Sequence, residues 1–330
     1  MSPLRPTGLW RRAAVLAFAV LLAAGVTAPD AFAASPHRAA GTRLGDVRVL
    51  ARFDRAAGQV AESVALEPGG GVIIGMIPAR QVVRVAPDGT VRVLATMPLP
   101  PGGGGTTPVI GTPVVTGVAR SDRGAVYFLY SSGRGGLTGI WQLRRAGAPR
   151  RVVPLPAGTM PNALVIDRER DRFLVTDSAG GRIWQAPLSG GAASVWSADP
   201  ALSPDGFFGA NGLKVHDGAV WASNSDRGTV VRIPVTAGGG PGRAQVRATG
   251  LAGIDDFDFT GRGTEILAAI NQTSKLVRVG SDGSQEVLLD ADDGMQGTTA
   301  VAVRGNRVYV TNGANLAGNN PDLLLARLRR

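Results

Sequence analysis

Gly209-Ala210-Asn211-Gly212-Leu213-Lys214-Val215 sets a polar residue just ahead of an alternating apolar run. The arrangement returns at Glu62-Ser63-Val64-Ala65-Leu66, at Asn162-Ala163-Leu164-Val165-Ile166 and at Asp255-Asp256-Phe257-Asp258-Phe259. Weaker copies stand at Thr116-Gly117-Val118-Ala119 and Thr299-Ala300-Val301-Ala302-Val303. Successive first residues (62, 116, 162, 211, 255, 299) are roughly 44 to 54 apart, the length of one four-stranded propeller blade. The spacing predicts an all-β, six-bladed β-propeller of four-stranded antiparallel blades, with one oxygen-bearing side chain per blade aimed at a shared axis.

Composition agrees with many short strands and turns. The 330 residues include 47 Gly, 44% are hydrophobic and 5% are aromatic. A repeat fold lets one domain use this length. The formal charge is +10, and Lys occurs only at Lys214 and Lys275, so Arg carries nearly all the positive charge. The arginines are scattered through turns and outer strands with no cluster and no aromatic interleaving. That argues against a nucleic-acid partner and reads as a solvated surface; the partner expected is a small-molecule substrate in the axial pocket. With no Cys there is no disulfide framework and no thiolate metal site.

Residues 1–33 read as a secretory signal peptide. Arg5, Arg11 and Arg12 precede an apolar run over 13–26, and Ala31-Phe32-Ala33 offers small residues before a cut. The run is short for a membrane span, although an uncleaved anchor is the competing reading. Arg11-Arg12 leaves Sec and twin-arginine export both open. The expectation is a secreted, extracytoplasmic protein without stable membrane insertion after cleavage. Residues 34–44 form a lead-in, and 45–330 the propeller. Residues 47–53 alternate like a strand but precede the first repeat, while the sixth repeat runs out after three strands. The N-terminal strand is therefore expected to complete the last blade and remove two sheet edges. The Gly- and Pro-rich stretch 98–113 is read as an enlarged connection hanging over the axial pocket.

Two carboxylates and two amides at one phase of the repeat suit a hard cation. Ca²⁺ takes several oxygen ligands of mixed type, so Glu62, Asn162, Asn211 and Asp255 form the expected set. Each residue alone has a bland reading: Asn211-Gly212 as a turn, Glu62 as an exposed strand start, Asp255-Asp256 as a solvated turn. Their shared phase carries the assignment. Phe207 and Phe208, ahead of Asn211, and the loop residues Asn271 and Asn312 are candidates for pocket walls. Other motifs fail. No Gly-x-Ser-x-Gly elbow is present, His216-Asp217-Gly218 reads as a hairpin, and Asp290-Ala291-Asp292-Asp293-Gly294 lacks the later Glu of a calcium loop.

Asn211-Gly212-Leu213, followed by Ala219-Val220-Trp221-Ala222-Ser223-Asn224-Ser225, resembles the senescence marker protein / gluconolactonase / luciferin-regenerating enzyme-like family of six-bladed propellers. The resemblance spans 47–330 through short motifs. It implies a Ca²⁺ held by Glu62, Asn162, Asn211 and Asp255, and, on the paraoxonase pattern, a metal-binding role for Asp256. The chain departs from the family at Glu62-Ser63, Asn162-Ala163 and Asp255-Asp256, and no Arg matches the one that grips a sugar acid. The cation site therefore transfers better than sugar-lactone specificity. A calcium-dependent hydrolase of a lactone, ester or phosphoester follows, with Asp255 as base or nucleophile and Asp256 as the alternate. A non-catalytic binding propeller with a structural Ca²⁺ is the competing reading.

Overall fold

The computed structural model describes residues 43–103, 105–144, 147–314 and 319–329. The predicted signal peptide lies outside the described residues. No helix among those described is long and apolar enough to cross a membrane.

The first strand, β1 (Arg43–Arg52), is held back for the end of the chain. Blade one follows as β2 (Gln59–Leu66), β3 (Val72–Pro78), β4 (Gln81–Val85) and β5 (Val91–Thr96). Blade two is β6 (Val114–Arg120), β7 (Val126–Ser131), β8 (Gly139–Gln142) and β9 (Arg150–Pro154). Blade three is β10 (Pro161–Asp167), β11 (Arg172–Asp177), β12 (Arg182–Pro187) and β13 (Ser194–Ser197). Blade four is β14 (Ala210–His216), β15 (Ala219–Asn224), β16 (Thr229–Pro234) and β17 (Gln245–Ala248). Blade five is β18 (Ile254–Phe259), β19 (Ile266–Ile270), β20 (Lys275–Val279) and β21 (Gln285–Leu289). Blade six takes β22 (Thr298–Arg304), β23 (Arg307–Asn312) and β24 (Asp322–Arg329), and β1 pairs antiparallel with β24 as its fourth strand. Six four-stranded antiparallel sheets result, as the repeat predicted. The closing strand begins at Arg43, inside the stretch expected to be a lead-in, and its register runs from Arg43↔Arg329 to Arg52↔Asp322.

The core lies between blades rather than at one centre. Each sheet is apolar on both faces because each is covered by a neighbour. Leu174 and Ile183 of blade three pack with Val220 and Val231 of blade four. Trp221 and Val230 of blade four pack in turn with Phe257, Ala268 and Val277 of blade five. The aromatic residue on the second strand therefore fills an inter-blade layer, and Trp221 also meets Phe259 edge-on with ring centroids 5.3 Å apart.

The stretch 98–113 connects β5 to β6 and packs on blade two. Tyr130 donates its hydroxyl to Pro98 O at 2.5 Å. A Cβ on Gly105 would fall 1.9 Å from Ser132 O, so this glycine is required by close backbone approach. None of its described residues lines the axial cavity. The acidic run at 290–294 is a capped 3₁₀ turn in which Asp290 and Asp293 satisfy backbone N–H groups.

Candidate functional site: a bulged ring on the propeller axis

Each innermost strand breaks register once, and the break always falls at the polar residue. The shifts lie between Ala61 and Ser63, Val115 and Val118, Pro161 and Leu164, Ala210 and Leu213, Ile254 and Asp256, and Thr298 and Ala300. The residues inside them are Glu62, Thr116, Asn162, Asn211, Asp255 and Thr299, some with one neighbour. A bulge leaves the extra residue out of the ladder and re-aims its side chain. Six bulges at one phase thus give six side chains that escape the in–out alternation of their strands.

Hydroxyls fasten the bulges to one another. Thr176 and Ser223, near the ends of β11 and β15, accept from the bulged N–H groups of Ala163 and Gly212 at 2.9 and 2.7 Å. They donate onward to the next blade's bulge, Thr176 to Asn211 O at 2.5 Å and Ser223 to Asp255 O at 2.9 Å. Thr311 accepts from Ala300 N at 2.9 Å in the same way. Ser63 donates to Thr116 O at 2.6 Å, Thr116 to Pro161 O at 2.8 Å, and Thr299 to Ala61 O at 2.9 Å. The blades approach so closely that a Cβ on Gly212 would fall 2.7 Å from Asp256 Cα. Asn211-Gly212 is thus not a turn. Its glycine makes room for the neighbouring blade's backbone.

Glu62, Asn162, Asn211 and Asp255 all line one axial cavity of about 570 Å³. Asp256, Asp258, Lys214 and Thr299 line it too. Asn211 donates its amide to Asp255 Oδ1 at 2.8 Å and to Ser225 Oγ at 2.9 Å, which fixes the amide orientation. Asn271 reaches Asp255 Oδ2 at 3.4 Å from beside the cavity. Asn162 is 5% exposed, and no hydrogen bond to its side chain is present among the described residues. Lys214 Nζ holds Asp256 Oδ1 at 2.7 Å.

Burial first, and neighbouring carboxylates second, hold the site's carboxyls above their ordinary range. Burial, followed by the Asp256 carboxylate, pushes the Glu62 carboxyl up to about 7. Burial and then the carboxylates of Glu62 and Asp256 raise Asp255 well above the usual range, against the hydrogen bonds from Asn211 and Asn271. Burial lifts Asp258 to about 6, while Lys214 and the Val303 N–H pull the other way.

The proposed wall residues are placed differently. Phe207 is 44% exposed, packs against Phe208 with the rings tilted and their centroids 4.4 Å apart, and does not line the cavity. The loop carrying both rings is held by Asp226, which accepts from the N–H groups of Asp205, Phe207 and Phe208. Asn312 is also away from the cavity. Its amide donates to Asp322 Oδ1 at 2.9 Å and Gly294 O at 3.2 Å, and accepts from Gln296 N and Thr298 Oγ1, so it ties β22, β23 and β24 together. The cavity walls come instead from the inner strands themselves. They run past Val64, Leu164 and Leu213 to Leu66, Arg120, Arg168 and Arg304 at the strands' far ends. Sequence reasoning missed Lys214, Asp258 and the clasp hydroxyls. The repeated Thr176-Asp177, Ser223-Asn224 and Thr311-Asn312 was the signal for the clasps.

No protein-family model and no curated protein sequence matches the chain. Among solved structures it is similar to a gluconolactonase from Xanthomonas campestris, at 17% identity and TM-score 0.65 over 89% of this chain and 94% of that one. It is also similar to the PQQ-bound aldose sugar dehydrogenase from Streptomyces coelicolor, at 15% identity and TM-score 0.61 over 88% of this chain and 99% of that one. A third is virginiamycin B lyase from Staphylococcus aureus, at 13% identity and TM-score 0.57 over 88% of this chain and 100% of that one. At these identities the likeness shows a shared propeller fold, one that carries different chemistries in these three proteins.

The residues on the axis fit a hard cation. The candidate donors are all oxygens, two from carboxylates and two from amides, lining one axial cavity. Asn211 has its nitrogen committed to protein acceptors, which leaves its carbonyl oxygen as the atom that would face a cation. Among the described residues no three His, Cys, Asp or Glu side chains form a metal-binding group, so a cation here depends on the asparagines.

Proposed function

We propose that the protein is an exported, calcium-dependent hydrolase that acts on a lactone, ester or phosphoester at the axial ring. The observation behind this reading is that Glu62, Asn162, Asn211 and Asp255 line one axial cavity, with the carboxyls of Glu62 and Asp255 held above their ordinary range by burial and then by neighbouring carboxylates. When bound there, Ca²⁺ supplies charge that polarises a carbonyl or phosphoryl oxygen.

The chain's own residues divide the remaining work. Glu62, Asn162, Asn211 and Asp255 hold the cation. Asn211 and Asn271 fix the two Asp255 oxygens, so that carboxylate is oriented before any substrate arrives. Asp255 is the candidate to take a proton from water or to attack directly. Asp256 suits that task less well, because Lys214 occupies one of its oxygens. Val64, Leu164 and Leu213 on the cavity wall would meet the acyl or alkyl part of a substrate.

A second reading is a binding propeller pinned by a structural cation. It is favoured by a lining without histidine, in which the hydroxyls of Ser63 and Thr299 are already committed to backbone of adjacent blades. A panel of lactones, aryl esters and phosphotriesters, run with and without chelator, separates the two. Hydrolysis that disappears with chelator and in Asp255→Ala, in protein that still melts cooperatively, supports the enzyme. No turnover on any member, with chelator lowering only the melting temperature, supports the binding propeller.

A further inference from the structure

Asp255 and Asp256 are consecutive at one bulge, and both face the axial cavity. They do not share a fate. Asp255 takes hydrogen bonds from Asn211 and Asn271, two neutral donors. Asp256 is drawn to the ammonium of Lys214 at 2.7 Å, with both side chains mostly buried. The lysine comes from β14 of the preceding blade, three residues past Asn211, and its Nζ also stands 5.7 Å from the centre of the Phe257 ring. It is held from two sides. Four carboxylates of blades one and five (Glu62, Asp255, Asp256 and Asp258) line the cavity, and Lys214 is the lysine among its walls. Elsewhere the chain uses Arg almost without exception. A broad guanidinium needs room for five donors, whereas an ammonium is a compact point charge that fits beside one carboxylate.

We infer that Lys214 is a positioning residue that holds Asp256 off the cation, so that the ring offers four oxygen-bearing side chains rather than five. Asp256 stands close enough to the ring for its charge to act on both Glu62 and Asp255. The carboxylate is therefore near the ligand set without belonging to it. Lys214 also offsets part of the local charge, which moderates affinity for a divalent ion: affinity at oxygen sites rises with the number of charged ligands. A ring kept at four leaves more of the cation's coordination sphere to water and substrate.

This inference rests on the proposed cation site, and the test separates the two. Eu³⁺ replaces Ca²⁺ at oxygen sites, and its luminescence lifetimes in H₂O and D₂O count the waters bound to the ion. In Lys214→Met, Asp256 is released to the ring and should displace about one or two waters, according to whether it binds through one oxygen or two. Ca²⁺ affinity by calorimetry should rise about tenfold or more with the added charged ligand. In Lys214→Met/Asp256→Asn the hydration number should return to the wild-type value, an outcome a merely structural lysine does not produce. Equal hydration numbers in wild type and Lys214→Met overturn the inference while leaving the cation site intact. No binding of Eu³⁺ or Ca²⁺ in any variant refutes the cation site itself. Lys214→Gln serves if the methionine variant does not fold. Asp256→Asn in the wild-type background is an independent check: it should leave the water count unchanged, and a gained water would mean that Asp256 is already a ligand.

Discussion

Blades two and six have the same bulge as blades one, three, four and five, and yet they make a different use of it. Thr116 and Thr299 occupy the phase of Glu62, Asn162, Asn211 and Asp255. Their hydroxyls turn sideways, to Pro161 O at 2.8 Å and Ala61 O at 2.9 Å, and join the clasp between blades. The longer side chains reach past the clasp to the axis. The backbone device is shared by six blades, and side-chain length separates the blades that contribute cohesion from those that would hold the proposed cation.

The sharpest way to break this division is at the ligand blades. Asp255→Ala should lower Ca²⁺ affinity by about 100-fold or more, since it removes a charged ligand from a set of four. Calorimetry reads the affinity, and the melting curve without Ca²⁺ should not fall, because a buried repelling charge is lost.

The next effect in size is on pH. In ion-free protein Glu62, Asp255 and Asp258 all have raised pKa values, so the folded chain holds more protons than the unfolded one above the usual carboxylate range. The raised groups therefore make stability fall as pH rises from about 4.5 towards 7, by an amount on the order of a few kcal/mol. Millimolar Ca²⁺ should flatten that fall. Urea melts at pH 5 and 7.5, with and without Ca²⁺, check it, and a rising ion-free stability would count against the assignment.

Gly212→Ala sets the two roles against each other at one site. The new Cβ would meet Asp256 Cα at 2.7 Å, backbone that cannot swing away. A loss of about 1–3 kcal/mol is expected, together with weaker Ca²⁺ binding, because Asp255 moves with its neighbour. The smallest effect belongs to the clasp blades. Thr116→Val and Thr299→Val should each cost about 1 kcal/mol of stability, with Ca²⁺ affinity unchanged. An affinity loss in either would place those threonines among the ligands and dissolve the contrast between the two kinds of blade.

The fold was readable because its signal is periodic. A polar residue ahead of an apolar run recurs at 62, 116, 162, 211, 255 and 299, and no helical pattern competes with it. The orphan strand was legible too, as a fourth strand without a blade, though the pairing with β24 extends back to Arg43. The bulges were not legible. A register shift is a property of two strands, and no single stretch such as Asn211-Gly212-Leu213 displays it. Asn312-Gly313 shows the limit of local reading, since the same dipeptide as Asn211-Gly212 ends β23 instead of opening an inner strand. Phe207 and Phe208 were misplaced because proximity in sequence to Asn211 says nothing about which side of the ring holds the cavity. The Lys214–Asp256 pair joins residues 42 apart on two blades, beyond any pattern within one repeat.

The closing strand has a kinetic consequence. Every other blade is a local meander that can form from neighbouring segments, but blade six needs Arg43 to find Arg329. Contacts between residues so far apart form late and slowly. Until they do, β24 and the inner strand of blade one are left without their final neighbours, and the ring of bulges spans an open seam between Glu62 and Thr299. Refolding should therefore end in a slow step whose yield falls with protein concentration, and cation binding should appear only with that last step.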